Sequence, residues 1–228
     1  MIKTYLLHHK DFVKRFEYIS KRLNEENIEY DIIDGYHPNS INYNDLLSGY
    51  EKFTPAYIQF GPPGLTAYHS YINFSKKISP SSVSLIMKHI HAWKDCIANN
   101  YDFSLILEDD AEIPIGFGET LKRILSEFKQ GQLNGIDMVM IGDGYGWHFP
   151  VINKNKCIHY HPCLKTRCTH AYLINKKFAK VMLDNFAPLN LPIDFKMNEI
   201  IQIKSLKIFW FEPGIKQKFF DTENTKER

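Results

Sequence analysis

Residues Phe103-Ser104-Leu105-Ile106-Leu107-Glu108-Asp109-Asp110-Ala111-Glu112-Ile113-Pro114 join an apolar run to a cluster of acids. A short apolar run directly before polar residues is typical of a buried strand in an α/β sheet. The carboxylates then stand at the carboxyl end of that strand, where open α/β sheets bind their ligands. Because adjacent negative charges repel one another, a divalent cation with a bound phosphate would offset them. A solvated acidic turn is the alternative interpretation.

The composition is that of an ordinary globular protein. The chain has 228 residues, of which 44% are hydrophobic and 24% charged, enough for one large domain over residues 1–228. The formal net charge of +2 gives no indication of a nucleic-acid partner. No apolar run approaches the ~20 residues that cross a bilayer, so we expect at most a peripheral association with a membrane. Four cysteines and no apparent secretion signal favour a reducing, cytoplasmic location.

The first 35 residues predict a βαβ unit. Lys3–Leu7 and Ile28–Gly35 have the composition of strands, and helical spacing of apolar residues lies between them. Asp11 is a candidate cap for that helix. Strand, helix and strand in this order favour a parallel sheet. Arg15 and Asp34 lie near the resulting edge, as candidates for a nucleotide pocket or as plain surface charges.

The remaining chain continues the α/β pattern after an irregular region, residues 38–80, which we interpret as a loop or lid. Beyond it, Ser81 or Ser82 could cap a helix, and Asp194 could cap another. Gly142 and Gly144 flank Asp143 after a buried strand, so the backbone there can approach a ligand closely. The tail, residues 221–228, is polar and expected to fray. The further predicted elements are helices at 81–99, 116–130, 176–185 and 194–201 and strands at 103–107, 137–144, 171–175 and 206–211.

A group of soft ligands follows, comprising Cys157, His159, His161 and Cys163. In an extended chain these side chains share one face, and nitrogen and sulfur ligands could hold zinc. The spacing has no CxxC knuckle, however, and same-face residues of a strand are ~7 Å apart, too wide for one ion. We therefore favour reduced, partly buried residues on a β-hairpin over a zinc site.

The order of several motifs resembles glycosyltransferase family 25, which includes lipooligosaccharide and collagen galactosyltransferases. The resemblance covers nearly the whole chain, and its motifs are the opening strand and helix with Arg15, Tyr30–Gly35, His89-Ile90-His91-Ala92-Trp93, Leu105–Ile113, Thr169–Ile174 with Lys176–Lys180, Pro192-Ile193-Asp194 and Pro213–Gln217. Lys88 departs from the family pattern, because it stands where a small hydroxyl residue usually precedes the histidine. Residues 50–80 match no part of the pattern.

The resemblance implies a GT-A-like single domain with a central, mostly parallel sheet flanked by helices. The implied activity is an inverting transfer of a hexose, most commonly galactose, from a UDP-sugar to a glycan, glycolipid or glycoprotein acceptor. Mn²⁺ or Mg²⁺ would bridge the diphosphate oxygens. A catalytically inactive binding module of the same family is the alternative. The departure at Lys88 keeps that alternative open, and the intact acidic motif argues against it.

The resemblance also suggests roles for particular side chains. Asp110, Glu108 and His170 are the predicted metal ligands, and in an extended chain Glu108 and Asp110 would point to one side while Asp109 faces the other. Asp194 is the first choice for the base that takes the acceptor proton, and Asp143 is the second. The predicted donor contacts are Tyr5, Arg15, Asp34, His89, Glu108, Asp109 and Gln217.

Two further classes stay open from sequence. A metal-dependent phosphohydrolase or nucleotidyltransferase would need a second acidic cluster for its second ion, which Asp143 and Asp194 could supply only by converging. A purely structural α/β protein needs no such cluster.

Overall fold

A computed structural model describes residues 2–40, 57–60, 68–71, 78–129, 135–144, 158–160, 165–187, 189 and 191–220. Within these, the side chains of 57–60, 68–71, 128–129 and 160 are not described. Cys157, His161 and Cys163, the tail at 221–228 and most of the predicted irregular region therefore lie outside the described residues.

Nine strands and five α-helices are described. The strands are β1 Ile2–Leu7, β2 Asp31–Ile33, β3 Tyr57–Phe60, β4 Tyr68–Tyr71, β5 Phe103–Glu108, β6 Met138–Gly142, β7 Ile158–Tyr160, β8 Ala171–Asn175 and β9 Ile208–Ile215. The helices are α1 Val13–Glu25, α2 Pro80–Ala98, α3 Phe117–Lys129, α4 Lys176–Asn185 and α5 Ile193–Ile203, with a short 3₁₀ turn at Pro38–Ser40.

Seven strands form one sheet in the order β2-β1-β5-β8-β6-β9-β7, and β3 and β4 form a separate antiparallel pair. In the large sheet β2, β1, β5, β6 and β9 run in one direction, while β8 and β7 run against them. The predicted α/β architecture with a mostly parallel central sheet is confirmed. The pattern of β8 gave no sign of its direction, because a strand buried on both faces has the same composition either way.

The sheet collects the polar residues of interest at one edge. Parallel strands end together, so the residues after β1, β2, β5, β6 and β9 lie along the same side. Because β8 is antiparallel, the residues that precede it reach this edge as well. From β1 the chain continues to β2 on one side and to β5 on the other, and such a reversal of strand order opens a crevice for ligands.

Alternate residues of the central strands point to opposite faces of the sheet and pack into two hydrophobic cores, one on each face. Ile106, Met140 and Tyr172 pack toward α2, α4 and α5. Leu105 and Leu107 pack on the other face with residues of α1 and α3. All five side chains are fully buried, which fixes the register of β5 and hence the position of the acids that follow it.

Several local predictions were wrong in detail. Phe12 rather than Asp11 occupies the N-cap of α1, and Pro192 rather than Asp194 occupies that of α5, neither with a side-chain cap. Ser79 caps α2 by accepting a hydrogen bond from the Ser82 amide, ahead of the predicted serines, because Pro80 fits the first helical position. Within the described residues β7 pairs with the distant β9, and the rest of the predicted hairpin around residues 157–163 lies outside them.

Among the described residues, we find no helix with the length and apolar character needed to span a membrane.

Candidate functional site

A cavity of about 180 Å³ opens at the carboxyl edge of the sheet. It brings together three of the predicted residues, Glu108, Asp194 and Gln217, from three distant parts of the chain. Its other lining residues are Ser82, Leu85, Cys168, Thr169, Pro192 and Ile193. Typical ligand pockets enclose about 300–1,000 Å³, so this cavity is large enough for only part of a typical ligand.

Glu108, the last residue of β5, is held in its ionised form. Thr169 donates its hydroxyl to Glu108 Oε1 at 2.6 Å, and His89 Nε2 lies 3.5 Å from the same oxygen. Burial raises the pKa of Glu108, but the contacts with His89 and Thr169 outweigh this effect, and the pKa lies below its usual value. The cavity therefore contains a fixed negative charge.

A buried hydrogen-bonded chain positions His89. The Tyr172 hydroxyl accepts a hydrogen bond from Trp93 Nε1 at 3.1 Å and lies 2.7 Å from His89 Nδ1. If that hydroxyl donates to Nδ1, a neutral His89 carries its proton on Nε2, facing Glu108. His89 itself is fully buried, so we infer that it orients Glu108 without touching a ligand.

The chain turns immediately after Glu108, and Asp109 enters the protein. The Ala111 amide donates back to the Glu108 carbonyl, so the alternation expected of an extended strand ends there. Asp109 Oδ2 accepts a hydrogen bond from the His9 amide at 3.0 Å and lies 2.8 Å from His8 Nδ1, while Arg15 reaches Oδ1 at 3.3 Å. Asp109, predicted as a donor contact, thus acts here as a hydrogen-bonded strut between β5 and the end of β1.

Asp110 is the least satisfied of the three acids. Its Oδ1 is buried without a hydrogen-bond partner among the described residues, while Oδ2 lies 3.5 Å from Gln217 Nε2 and 3.7 Å from Arg15. Burial, together with the charges of Glu108 and Asp109, raises the pKa of Asp110 to about 7. The charge of Arg15 opposes this rise in the pKa but does not cancel it, so an ionised Asp110 is only partly stabilised by its surroundings.

His170 and Asp143 lie beside the cavity but do not line it. His170 is fully buried, donates through Nε2 to the Ile215 carbonyl at 2.8 Å, and packs so tightly on Gly142 that a Cβ there would lie 2.6 Å from its ring. Burial lowers the pKa of His170, so Nδ1 has a lone pair but no described partner. The Asp143 amide donates to the Ile215 carbonyl, which places Asp143 at the end of β6, next to β9 and two strands away from β5.

The predicted set of three metal ligands is not assembled. Among the described residues, one group places three potential ligand atoms within 4.8 Å of one another, and it does not consist of Glu108, Asp110 and His170. The two acids by themselves still fit a hard cation, because Mg²⁺ and Mn²⁺ bind through one or two carboxylates together with substrate phosphates and waters. The unpartnered Oδ1 of Asp110 is the oxygen that such an ion would satisfy.

Lys88 adds a second positive charge to this region, beside that of Arg15. It is 4% exposed on α2, next to His89, and no carboxylate of a described residue lies within 4 Å of its ammonium. Burial lowers the pKa of Lys88, while the more distant charges of Asp109, Asp34 and Glu108 oppose that effect. An anion bound in the crevice between β1 and β5 would therefore gain this ammonium as a partner.

Other predicted residues lie away from the cavity. Tyr5 is 2% exposed and donates its hydroxyl to Asp95 on α2, so it belongs to the core. Asp34 is exposed after β2, and Arg15 packs between the ring of Phe12 and the acids. The sequence analysis predicted no role for Thr169. The one indication of a role was its position directly before His170 in the motif Thr169–Ile174.

The sequence model of glycosyltransferase family 25 (LPS biosynthesis protein) matches residues 1–197. The chain belongs to glycosyltransferase family 25. The predicted family is therefore confirmed. The matched residues include Glu108, Asp110 and Asp194, whereas Gln217 lies beyond them.

Curated relatives of this family 25 chain include procollagen galactosyltransferase 1-B from Xenopus laevis, 21% identical over 140 residues, or 61% of this chain. The match covers about a fifth (21%) of that relative's own length.

Two solved structures are similar to the fold at a distance. One is A197 from STIV, with a TM-score of 0.46, 13% identity and coverage of 92% of this chain and 82% of that one. The other is UDP-glucose pyrophosphorylase complexed with UDP-glucose, with a TM-score of 0.43, 13% identity and coverage of 97% and 93%. Likeness at this level is too remote to carry an argument.

Proposed function

We propose that this family 25 protein transfers a hexose, with galactose as the first candidate, from a UDP-sugar to a hydroxyl of a glycan or protein acceptor, with inversion at the anomeric carbon. The observation that carries the proposal is the cavity in which Asp194, Glu108 and Gln217 meet beside the unsatisfied Asp110. The name of the Xenopus laevis relative, a procollagen galactosyltransferase, supports the choice of sugar.

Asp194 is suited to act as the base. It lies in the first turn of α5 and lines the cavity, and its Oδ1 accepts a hydrogen bond from the Phe195 amide at 3.0 Å. Burial raises the pKa of Asp194, the amide contact opposes this, and the charge of Glu108 adds to it. A carboxylate of raised pKa takes a proton more readily than an ordinary one.

The reaction needs one bond to form and one to break. The acceptor oxygen attacks the anomeric carbon of the hexose as its proton passes to the Asp194 carboxylate. The bond from that carbon to the phosphate oxygen breaks, and UDP leaves with the electron pair. The opposite sides of attack and departure give the inversion.

The leaving diphosphate carries the charge that the site must stabilise. Asp110 and Glu108 would hold Mn²⁺ or Mg²⁺, which supplies positive charge to the diphosphate oxygens. Lys88 offers its ammonium to the same diphosphate from α2. Gln217, bridged to Ala111 and next to Asp110, supports the acid and offers an amide to the sugar.

A panel of UDP-hexoses tests the proposal, with UDP release and thermal shift as the two measurements. We expect UDP release from one donor, which stops when EDTA removes the cation. Asp194→Asn should retain the thermal shift with the donor and lose transfer to an acceptor. Asp184→Asn, at an exposed site on α4, is the matched control and should behave as wild type. A thermal shift with no UDP release from any donor would identify the inactive binding module. The absence of both a thermal shift and UDP release would refute the proposal.

Lys88→Met is expected to weaken the binding of UDP by about 10- to 100-fold, the usual effect of losing a charge-assisted hydrogen bond. Methionine retains the apolar stem and the approximate volume, so packing on α2 should be preserved. Isothermal titration with UDP and Mn²⁺ measures the effect. Lys94→Met, an exposed position on the same helix, is the control. Equal affinity in all three proteins would show that Lys88 does not meet the diphosphate.

A further inference from the structure

A second cluster of metal-ligand side chains lies at the same edge of the sheet, outside the cavity. It consists of His9, Asp11 and His37, whose ligand atoms all lie within 4.8 Å of one another. His9 and Asp11 follow β1, and His37 follows β2 at the start of the 3₁₀ turn. Because β1 and β2 are parallel neighbours, their carboxyl ends bring these segments together.

The separations are close to those of a zinc coordination sphere. His37 Nε2 lies 3.0 Å from Asp11 Oδ2, and His9 Nδ1 lies 4.0 Å from the same oxygen. Bonds of 2.0–2.2 Å in a tetrahedron place neighbouring ligand atoms about 3.4 Å apart. The third separation, between the two histidine nitrogens, is at most 4.8 Å, so seating an ion would need the ligand atoms to close by up to about 1.4 Å.

The protonation of the rings bears on how an ion would bind. The Asp11 amide donates to His9 Nδ1 at 3.4 Å, so that nitrogen holds a lone pair, and an ion bound there would take the place of this long hydrogen bond. The Asn39 amide donates to His37 Nδ1 at 3.2 Å, so a neutral His37 carries its proton on Nε2 and donates it to Asp11. An ion on Nε2 would displace that proton and take the place of this hydrogen bond.

We propose that His9, Asp11 and His37 form a binding site for a zinc-class divalent cation, separate from the acids at the cavity. Two imidazoles and one carboxylate suit Zn²⁺ or a similar transition metal better than Mg²⁺ or Ca²⁺, which prefer oxygen ligands. The side chain of Asp11 is 60% exposed, which leaves a further coordination position open to water.

The site is connected through Asp109 to the crevice between β1 and β5. The His9 amide donates to Asp109, and the neighbouring His8 contacts the same carboxylate. A cation on the His9 ring would therefore fix the turn that holds the strut between β1 and β5. The proposal does not depend on the transfer of a sugar, since its ligands are different residues.

Titration with Zn²⁺ alone, against a chromophoric zinc indicator, tests the site in the full chain. The Asp110→Asn background removes competition from the proposed catalytic cation. We expect saturable binding that weakens at least tenfold in His9→Gln and in His37→Gln. His91→Gln, an exposed histidine on α2, is the matched control and should bind as its parent does. Substitution by Co²⁺ should give visible absorption bands that the His37 variant lacks.

The variants are needed because the chain contains 10 His and 4 Cys in all, so stoichiometry by itself cannot locate an ion. Zinc binding that is equally tight in His9→Gln, His37→Gln and their parent would place the ion elsewhere and overturn the proposal. An absence of saturable binding in the parent would also overturn it. Neither result would affect the assay of UDP release, so the two proposals fail separately.

Discussion

Asp110→Asn is expected to abolish sugar transfer, with a loss of at least about 10³-fold in rate, while leaving the fold intact. Asparagine has nearly the same shape but lacks the charge that would hold a divalent cation on the diphosphate. Stabilisation of developing charge by a metal is worth several kcal/mol, and each 1.36 kcal/mol corresponds to about tenfold in rate. UDP release with Mn²⁺ measures the loss.

The same substitution should stabilise the protein in the absence of metal. Burial with Glu108 and Asp109 raises the pKa of Asp110 from its usual 3.8 to about 7, so the folded chain holds this proton more tightly than the unfolded chain. The stability contributed by the protonated acid is present at low pH and is lost as the pH rises from about 4 to about 7. Above pH 7 the ionised acid costs the wild type about 2–4 kcal/mol relative to asparagine.

Thermal unfolding at several pH values measures this difference. For a chain of this size each kcal/mol shifts Tm by about 2–4 °C, so Asp110→Asn should melt several degrees higher at pH 8 and match the wild type near pH 4. Addition of Mn²⁺ should raise Tm in the wild type but not in the variant. Glu112→Gln, in the same segment but outside the cavity, is the control. Retained transfer in Asp110→Asn would refute the metal assignment.

Arg167→Met is expected to destabilise the fold by about 3–5 kcal/mol, because it leaves a buried carboxylate without its partner. Arg167 is fully buried, donates to Glu212 Oε1 at 2.8 Å and to the Phe211 carbonyl at 2.9 Å, and lies over the ring of Trp210 at 4.1 Å. The side chain of Glu212 is 2% exposed. This contact fastens the segment that carries Thr169 and His170 onto β9.

The double variant Arg167→Met, Glu212→Met distinguishes two causes of the lost stability: the loss of the ion pair itself and the burial of an uncompensated Glu212 charge. Replacing both members of a buried pair by apolar residues is often nearly neutral, so the double variant should recover most of the stability. Urea unfolding gives the free energies. Lys180→Met removes an exposed pair with Asp184 and should change stability by less than about 1 kcal/mol. A loss of that small size for Arg167→Met would contradict the expectation.

Much of the secondary structure could be predicted because its causes are local. Helical spacing of apolar residues predicted a helix between the first two strands, where α1 lies, and gave α4 with its observed bounds. Apolar runs gave β1, β5 and β8 in the same way. The positions of the helix starts were less predictable. Several serines or acids near a boundary can each act as a cap, and packing selects among them.

The pairing of the strands could be predicted only where a helix separates consecutive strands. β1, α1 and β2 form such a unit, and a right-handed crossover makes their strands parallel. β8 instead lies between β5 and β6 and opposes both. That insertion brings Thr169 and His170 to the carboxyl edge, so no local pattern could have placed the threonine hydroxyl on Glu108.

The sequence was thus sufficient to predict the family, the α/β class with its mostly parallel sheet, and the cluster of acids after β5, because these depend on apolar periodicity and on the order of residues along the chain. Folding settled which acid is satisfied: Asp109 has three partners, while the buried Oδ1 of Asp110 has none among the described residues. It also brought Asp194 to Glu108 and His37 to Asp11. Distances between residues far apart in sequence depend on how strands and helices pack, and burial then sets the protonation of the groups that meet.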